Sequence, residues 1–240
     1  MTQAASSRRI LCFGEMLLRF SPNQNELLMQ SPAVTIRPAG AEANVAVSLA
    51  NFGAPTSMAT VLADNALGRG VRDEVRKHGV DTSPIVFKPG RMGLYFLTPG
   101  AVRRPSEVLY DRAGSAFVEH VNTAFDWDTL LDGVEWLHAS GVTPATGANG
   151  SAAAVAIIEA AVRKGVKVSY DGNFRRKLWE QWDGELSPAH PPARAAAAAV
   201  QVPGFSPALS LHPRRDLQHL LHPETSHQPY EPPSLSRGGW

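Results

Sequence analysis

The chain has 240 residues, 43% of them hydrophobic and 19% charged, with a formal net charge of +1; that length fits one large domain or two small ones of roughly 100–200 residues each, and the near-neutral balance excludes the basic field that nucleic-acid binding requires. The only cysteine is Cys12, inside the apolar run Ile10-Leu11-Cys12-Phe13, which excludes an intramolecular disulfide and a cysteine-based zinc site and reads as a buried structural thiol. The stretch Met1 to Arg9 is polar and lacks a signal-peptide core, and no apolar run approaches the ~20 residues of a membrane span, so the expected compartment is the cytoplasm.

In chain order, Arg9 to Phe13, closed by Gly14, predicts a buried strand, and Met16-Leu17-Leu18-Arg19-Phe20 continues extended to a turn at Ser21-Pro22-Asn23. Val34-Thr35-Ile36-Arg37 alternates and predicts an edge or lid strand. The stretch that organises the chain follows: Pro38-Ala39-Gly40 leads into a helix starting near Glu42 and running to about Phe52, where Gly53 ends it. Small residues there let the backbone pass close to a ligand. A carboxylate (Glu42) and a carboxamide (Asn44) fall in the first helical turn beside free N–H groups, a means of gripping a polyhydroxylated small molecule; an ordinary capped helix is the plain alternative.

Ser57 to Leu62 predicts the next strand, closed by Ala63-Asp64-Asn65, and Leu67 to His78 a helix ended by Gly79. Gly93 to Thr98 and Glu107 to Tyr110 are two β-runs joined through Pro99, Gly100 and Pro105, an antiparallel hairpin with a long connection. Val134 to Gly141 is again a buried strand, Asn149 to Lys164 an Ala-rich helix ended by Gly165, and Val166 to Tyr170 a strand ending at Asp171-Gly172-Asn173-Phe174-Arg175. Strands alternating with helices argue for a parallel sheet covered on both faces, with the interposed β-runs forming a small second sheet. Ligands of such sheets sit beyond the carboxyl ends of the strands, where Asp64-Asn65, Ser140-Gly141 and Asp171 to Arg175 fall. His138, in an apolar strand, reads as a satisfied core histidine.

Near Gly184 the character changes. From Leu186 to Trp240 the chain is rich in proline and histidine, carries the run Ala195 to Ala199, and shows no amphipathic period. That composition is one of a disordered tail, or of a reading-frame change in the source.

Residues 9 to about 182 resemble the PfkB-type, ribokinase-like sugar kinases, and within them the 2-keto-3-deoxygluconate kinases. The resemblance rests on Gly14-Glu15-Met16, Gly40-Ala41-Glu42-Ala43-Asn44-Val45-Ala46, Gly93-Leu94-Tyr95, Tyr110-Asp111-Arg112-Ala113-Gly114-Ser115-Ala116 and Asp171-Gly172-Asn173-Phe174-Arg175. It implies an α/β fold: a doubly wound, mostly parallel sheet with a small β lid (about 16–37 and 91–111), here incomplete at the C-terminus. The lid often serves for dimerisation. It implies ATP and Mg2+ as cofactors and phosphorylation of a sugar hydroxyl. Carried over residue by residue, Gly40, Ala41, Glu42, Ala43 and Asn44 would line the sugar site, with Tyr95 and Tyr110 reaching in from the lid beside Asp111. Arg112 and Arg175 would face the carboxylate of a keto-deoxy acid, because a guanidinium fork matches a carboxylate. Asn173, Phe174 and Arg175 would lie near the ATP phosphates. The tyrosines packing the lid, Arg112 on a solvated surface and Asp171 as a helix cap are the plain alternatives.

The same resemblance implies a Gly-Ala-Gly-Asp motif in the C-terminal half, its aspartate the general base and its glycines an anion hole. No Gly-x-Gly-Asp occurs in these 240 residues. Phosphoryl transfer depends on charge stabilisation around the γ-phosphate, so the expectation is a chain with little catalysis of its own and a parallel sheet left with an uncovered edge. Kinases for fructose, ribose or a nucleoside, and a non-catalytic sugar-binding or dimerisation module, are the competing readings.

Overall fold

Arg9–Phe13 forms strand β1, buried on both faces from Leu11 onward. Leu17–Pro22 (β2) and Val34–Ala39 (β3) follow, then the helix α1 over Ala41–Asn51. The next elements are β4 (Thr56–Ala59), β5 (Val61–Ala63), α2 (Ala66–Arg76), β6 (Val86–Lys88), β7 (Leu94–Thr98) and β8 (Glu107–Asp111). Two short helices, α3 (Ala116–His120) and α4 (Trp127–Leu130), precede β9 (Val134–Ser140), α5 (Ala148–Arg163), β10 (Lys167–Asp171) and α6 (Arg176–Trp179). The structure, a computed structural model, describes residues 9–23 and 26–179. The expected change of character after Gly184 lies outside them.

Three sheets result. The first, in the order β10-β9-β1-β4, is parallel throughout. Its strands read as near-continuous apolar runs because helices cover it: α5 lays Ala153, Ala154, Ile157, Ile158 and Ala161 into the core that Leu11, Phe13, Met58 and Leu137 fill from the strands. The second sheet, β3-β2-β7-β8, is mixed, with β2 and β7 parallel and the outer pairs antiparallel. The third is the short parallel pair β5-β6. This is the expected α/β architecture, and the expected antiparallel hairpin is β7-β8.

One local expectation needs correction. The run Ser57 to Leu62 is not one strand: Thr56–Ala59 stays beside β1, while Val61–Ala63 peels away to pair with Val86–Lys88, where no strand was expected. Leu17-Leu18-Arg19-Phe20 is extended, as expected. The chain leaves the first sheet at Gly14 and Glu15 and enters the second as β2. Several ends are marked as the sequence indicates. Gly53, Gly79 and Gly165 take positive φ after α1, α2 and α5, and Asn65 caps α2, its Oδ1 accepting from the N–H of Leu67 (3.0 Å) and of Gly68 (3.1 Å).

Candidate functional site

The carboxyl ends of β1, β9 and β10 open at Gly14, Ser140 and Asp171, and the second sheet brings its Gly93 and Arg112 to the same place. Three charged side chains meet there. Glu15, just past β1, has its side chain 1% exposed. Arg112, just past β8 and 12% exposed, holds Nη1 3.0 Å from Glu15 Oε2, an ion pair made by charge rather than by an aligned hydrogen bond. Glu42, in the first turn of α1, is fully buried, and the Ser140 hydroxyl donates to its Oε1 at 2.6 Å. Its other oxygen, Oε2, is buried with no hydrogen-bond partner among the described residues.

Glycines make this arrangement fit. A Cβ on Gly14 would collide with the Glu42 carboxyl, and one on Gly93 would come within 2.6 Å of Glu15 Oε1. Gly40 has an extended φ of 170°, which any residue adopts, so close approach is its reason: a Cβ there would meet the Glu15 carbonyl oxygen at 2.7 Å. The Gly14-Glu15 and Gly93-Leu94-Tyr95 motifs are thus two halves of one contact, each glycine making room for a buried carboxylate.

Burial sets the electrostatics. It pushes the Glu42 carboxyl up to about 7 against the pull of the Ser140 hydroxyl, with Glu15 adding to the rise and Arg112 opposing it. Burial also raises Glu15, against the pull of Arg112 and the Ser115 hydroxyl. Tyr170 is raised by burial and then by Glu42 and Asp171. Cys12, buried in the core, is pushed up to about 12, which suits an inert thiol. His138 is lowered by burial, and its Nδ1 lies 3.1 Å from Ser169 Oγ; it has the expected partner but is half-buried rather than in the core.

Most of the expected site residues fall into two groups. Gly40, Ala41, Glu42, Tyr110 and Arg112 surround the charged cluster or its rim. The Arg112 guanidinium stacks 4.6 Å over the Tyr110 ring, Tyr95 lies 6.1 Å from Tyr110 between ring centroids, and Tyr110, like Ala41, packs against the cluster of Val142, Ala145 and Leu178. A second group gathers after β10: the Asp171 carboxylate accepts from Asn173 N–H at 2.9 Å, and Arg175 Nε donates to Asn173 Oδ1 at 2.9 Å, with Phe174 beside them 54% exposed. Asn173 takes a positive φ of 36°, which asparagine tolerates better than most residues.

Several side chains depart from their expected roles. Glu42 does not offer an open carboxylate to a ligand, since α1 turns it inward onto Gly14 and Ser140. Asn44, two residues on and so on the opposite side of the helix, is exposed and lines a cavity of about 230 Å3 with Ala43, Arg37, Glu74 and His78. Asp111 is held from outside by Arg91, at 2.9 Å and 2.6 Å to its two oxygens. Asp64 pairs with Arg69 at 2.7 Å on the surface. The burial of Glu15 and its pairing with Arg112 carry no sequence signal beyond the Gly14-Glu15-Met16 motif, because the partner arrives from a distant strand.

Among the described residues no group of three His, Cys, Asp or Glu side chains is placed to hold a metal ion, and no helix is long and apolar enough to cross a membrane.

A parallel α/β sheet with a small mixed sheet at its carboxyl ends is the fold shared with solved carbohydrate kinases. The chain belongs to the pfkB family of carbohydrate kinases, whose pattern matches residues 7–202, past the change of character at Gly184. It is 34% identical over 177 residues to the 2-dehydro-3-deoxygalactonokinase of Haloferax volcanii, covering 72% of this chain and 54% of that protein. The structure of a 2-dehydro-3-deoxygluconokinase from Thermotoga maritima superposes with a TM-score of 0.69 at 42% identity, over 71% of this chain and 52% of that one. A fructokinase from Xylella fastidiosa with bound ATP superposes with a TM-score of 0.68 at 27% identity, over 80% of this chain and 56% of that one. The chain spans about half the length of the relatives it matches.

Proposed function

We propose that this chain forms the acceptor-binding part of an ATP-dependent, cytoplasmic sugar kinase, and that the acceptor is a keto-deoxy sugar acid such as 2-keto-3-deoxygluconate or its galactonate epimer. The observation that carries this reading is the inner face of the second sheet. Arg19, Tyr95 and Tyr110 stand side by side across β2, β7 and β8, with Arg112 stacked on Tyr110 at the sheet's end. A neutral sugar has no use for guanidinium groups in that number, whereas a carboxylate does. The two relatives named for keto-deoxy acids support the same choice. The fructokinase relative favours a second reading, a neutral ketohexose.

ATP and Mg2+ are implied by the family, and Asn173, Phe174 and Arg175 are the described residues nearest to that role. They do not make a complete site: the Gly-x-Gly-Asp sequence that the family resemblance implies is absent from all 240 residues. Sugar binding without turnover is therefore the behaviour we propose for this chain by itself.

The outer face of the second sheet supports pairing with a second copy. Val34 (41% exposed), Ile36 (51%) and Leu109 (62%) form an apolar surface with Phe20 and Phe96. Light scattering after size exclusion would show twice the mass of one chain, reduced to a single mass by Ile36→Lys with Leu109→Lys. For the acceptor, isothermal titration calorimetry of the full chain with 2-keto-3-deoxygluconate, its galactonate epimer and fructose should give measurable heats with the acids and weaker ones with fructose. ADP release in the presence of magnesium and ATP should stay at background. Fructose binding as tightly as the acids would sink the acid reading, and acid-dependent ADP release would sink the claim of no turnover.

A further inference from the structure

We propose that Arg19 supplies the free positive charge that captures the acceptor's carboxylate, and so selects sugar acids over neutral sugars. The proposal rests on the reading of the site as one for an acidic sugar and names the residue that makes it so.

The register of the second sheet carries the first step. In β2, Arg19 lies directly opposite Tyr95 of β7, and Tyr95 lies directly opposite Tyr110 of β8. Residues directly opposed across strands share a face, so Arg19 belongs to the tyrosine face. Phe20, one residue on, belongs to the other, where it meets Phe96 with ring centroids 5.4 Å apart.

The second step is the state of the other cations. Arg112 already faces a carboxylate of the protein itself, Glu15, at 3.0 Å, and Glu42 lies near enough to feel its charge. A ligand carboxylate arriving at Arg112 would have to compete with Glu15. Arg175 is exposed and donates its Nε to Asn173. Arg19 differs from both. It is half-buried, its Nε is wholly buried with no hydrogen-bond partner among the described residues, and no carboxylate among them pairs with it. A buried guanidinium N–H without an acceptor carries a desolvation cost that an incoming carboxylate would remove.

The third step is the residue on Arg19's other side. Arg37 of β3 stands directly opposite Arg19. Like charges directly opposed weaken a strand pair, and Pro38, next to Arg37, already weakens the edge. An anion held between or beside the two guanidinium groups relieves that repulsion. Arg37 is exposed, lies in the field of Glu74 and lines the cavity beside Asn44. The more buried Arg19 is the one that meets a ligand under the tyrosines.

The test is calorimetric titration of the full chain and two variants, Arg19→Gln and Arg19→Lys, with 2-keto-3-deoxygluconate and with fructose. Arg19→Gln should weaken acid binding by about tenfold or more, the loss expected for charge-assisted hydrogen bonds, while fructose binding stays within about twofold. Arg19→Lys, which keeps the charge without the fork, should fall between. Acid binding unchanged in Arg19→Gln overturns the proposal and leaves the acid-sugar reading standing. Equal loss of both sugars, with a lower melting temperature in both variants, overturns it as well and makes Arg19 structural. No acid binding by the unaltered chain overturns the acid-sugar reading, and the role of Arg19 with it.

Discussion

The two four-stranded sheets follow different rules, and the difference separates what holds this chain together from what it can recognise. The parallel sheet is buried on both faces, so its strands are apolar without alternation: Leu11, Cys12 and Phe13 are successive and all fully buried. The mixed sheet is buried on neither face to that degree, and its strands alternate. One face carries Arg37, Arg19, Tyr95 and Tyr110 in a row, and the other Ile36, Phe20, Phe96 and Leu109 in the adjoining row. In the first sheet a side chain contributes by filling space. In the second it contributes by the face it occupies.

The place where the sheets meet should be the most sensitive. Arg112→Met leaves Glu15 buried at the junction with no cation beside it, and breaking a buried pair from one side typically costs about 3–5 kcal/mol. Urea denaturation at pH 8 should show that loss. Adding Glu15→Gln should recover a large part of it, because the uncompensated charge is then gone. A single-variant cost below about 1 kcal/mol, on the scale of an exposed pair, would mean that the junction is solvated and that the sheets are joined by apolar contacts alone.

Within the parallel sheet the expected cost is that of a cavity. Leu137 is fully buried in β9 between Leu11 and Val168, and Leu137→Ala should destabilise by about 2–5 kcal/mol, read from the same denaturation curves. A cost near zero would show that the core around β9 collapses freely and is not close-packed.

The junction also predicts a dependence on pH. The Glu42 carboxyl is raised from 4.5 to about 7 in the folded chain, so between those values the folded state holds a proton that the unfolded state has released. Stability is therefore greatest below about pH 4.5 as far as this group is concerned. It falls as pH rises through the window and levels off above pH 7, a loss on the order of 3 kcal/mol. Glu15, raised in the same direction, adds to the fall. Glu42→Gln keeps the size and a partner for Ser140 and should flatten the slope between pH 5 and 7. An unchanged slope in that variant would place the titration elsewhere.

How much of this was legible before the structure depends on the same contrast. The apolar runs of β1 and β9, the Ala-rich α5 and the glycines that end α1, α2 and α5 are local signals, and they placed those elements to within a few residues. The break at Thr60 was not legible, because Thr56 to Ala63 is one run of small and apolar residues and the parting of β5 from β4 is decided by β6, a strand of three residues. The helices α3 and α4 are only a little longer, at five and four residues, though Ser115 and Asp126 cap them. In the site, Tyr95, Tyr110 and Arg112 were visible from their motifs. Glu15 and Arg19 were not, because a buried partner and a sheet register are properties of the assembled strands. The inward turn of Glu42 and the capture of Asp111 by Arg91 have the same origin.

The smallest expected effect completes the contrast. Leu109 is of the same residue type as Leu137 and also lies on a strand, but it is 62% exposed on the outer face of the mixed sheet. Leu109→Ala should change the stability of an isolated chain by no more than about 0.5 kcal/mol, as for surface positions generally. The measurement should be made at two protein concentrations. If the outer face pairs with a second copy, Leu109 is buried in the pair, and the variant should then lose stability only at the higher concentration, where mass action favours association. A cost of several kcal/mol at both concentrations would mean that the outer face is covered within a single chain, and the division between a space-filling sheet and a recognising one would no longer hold.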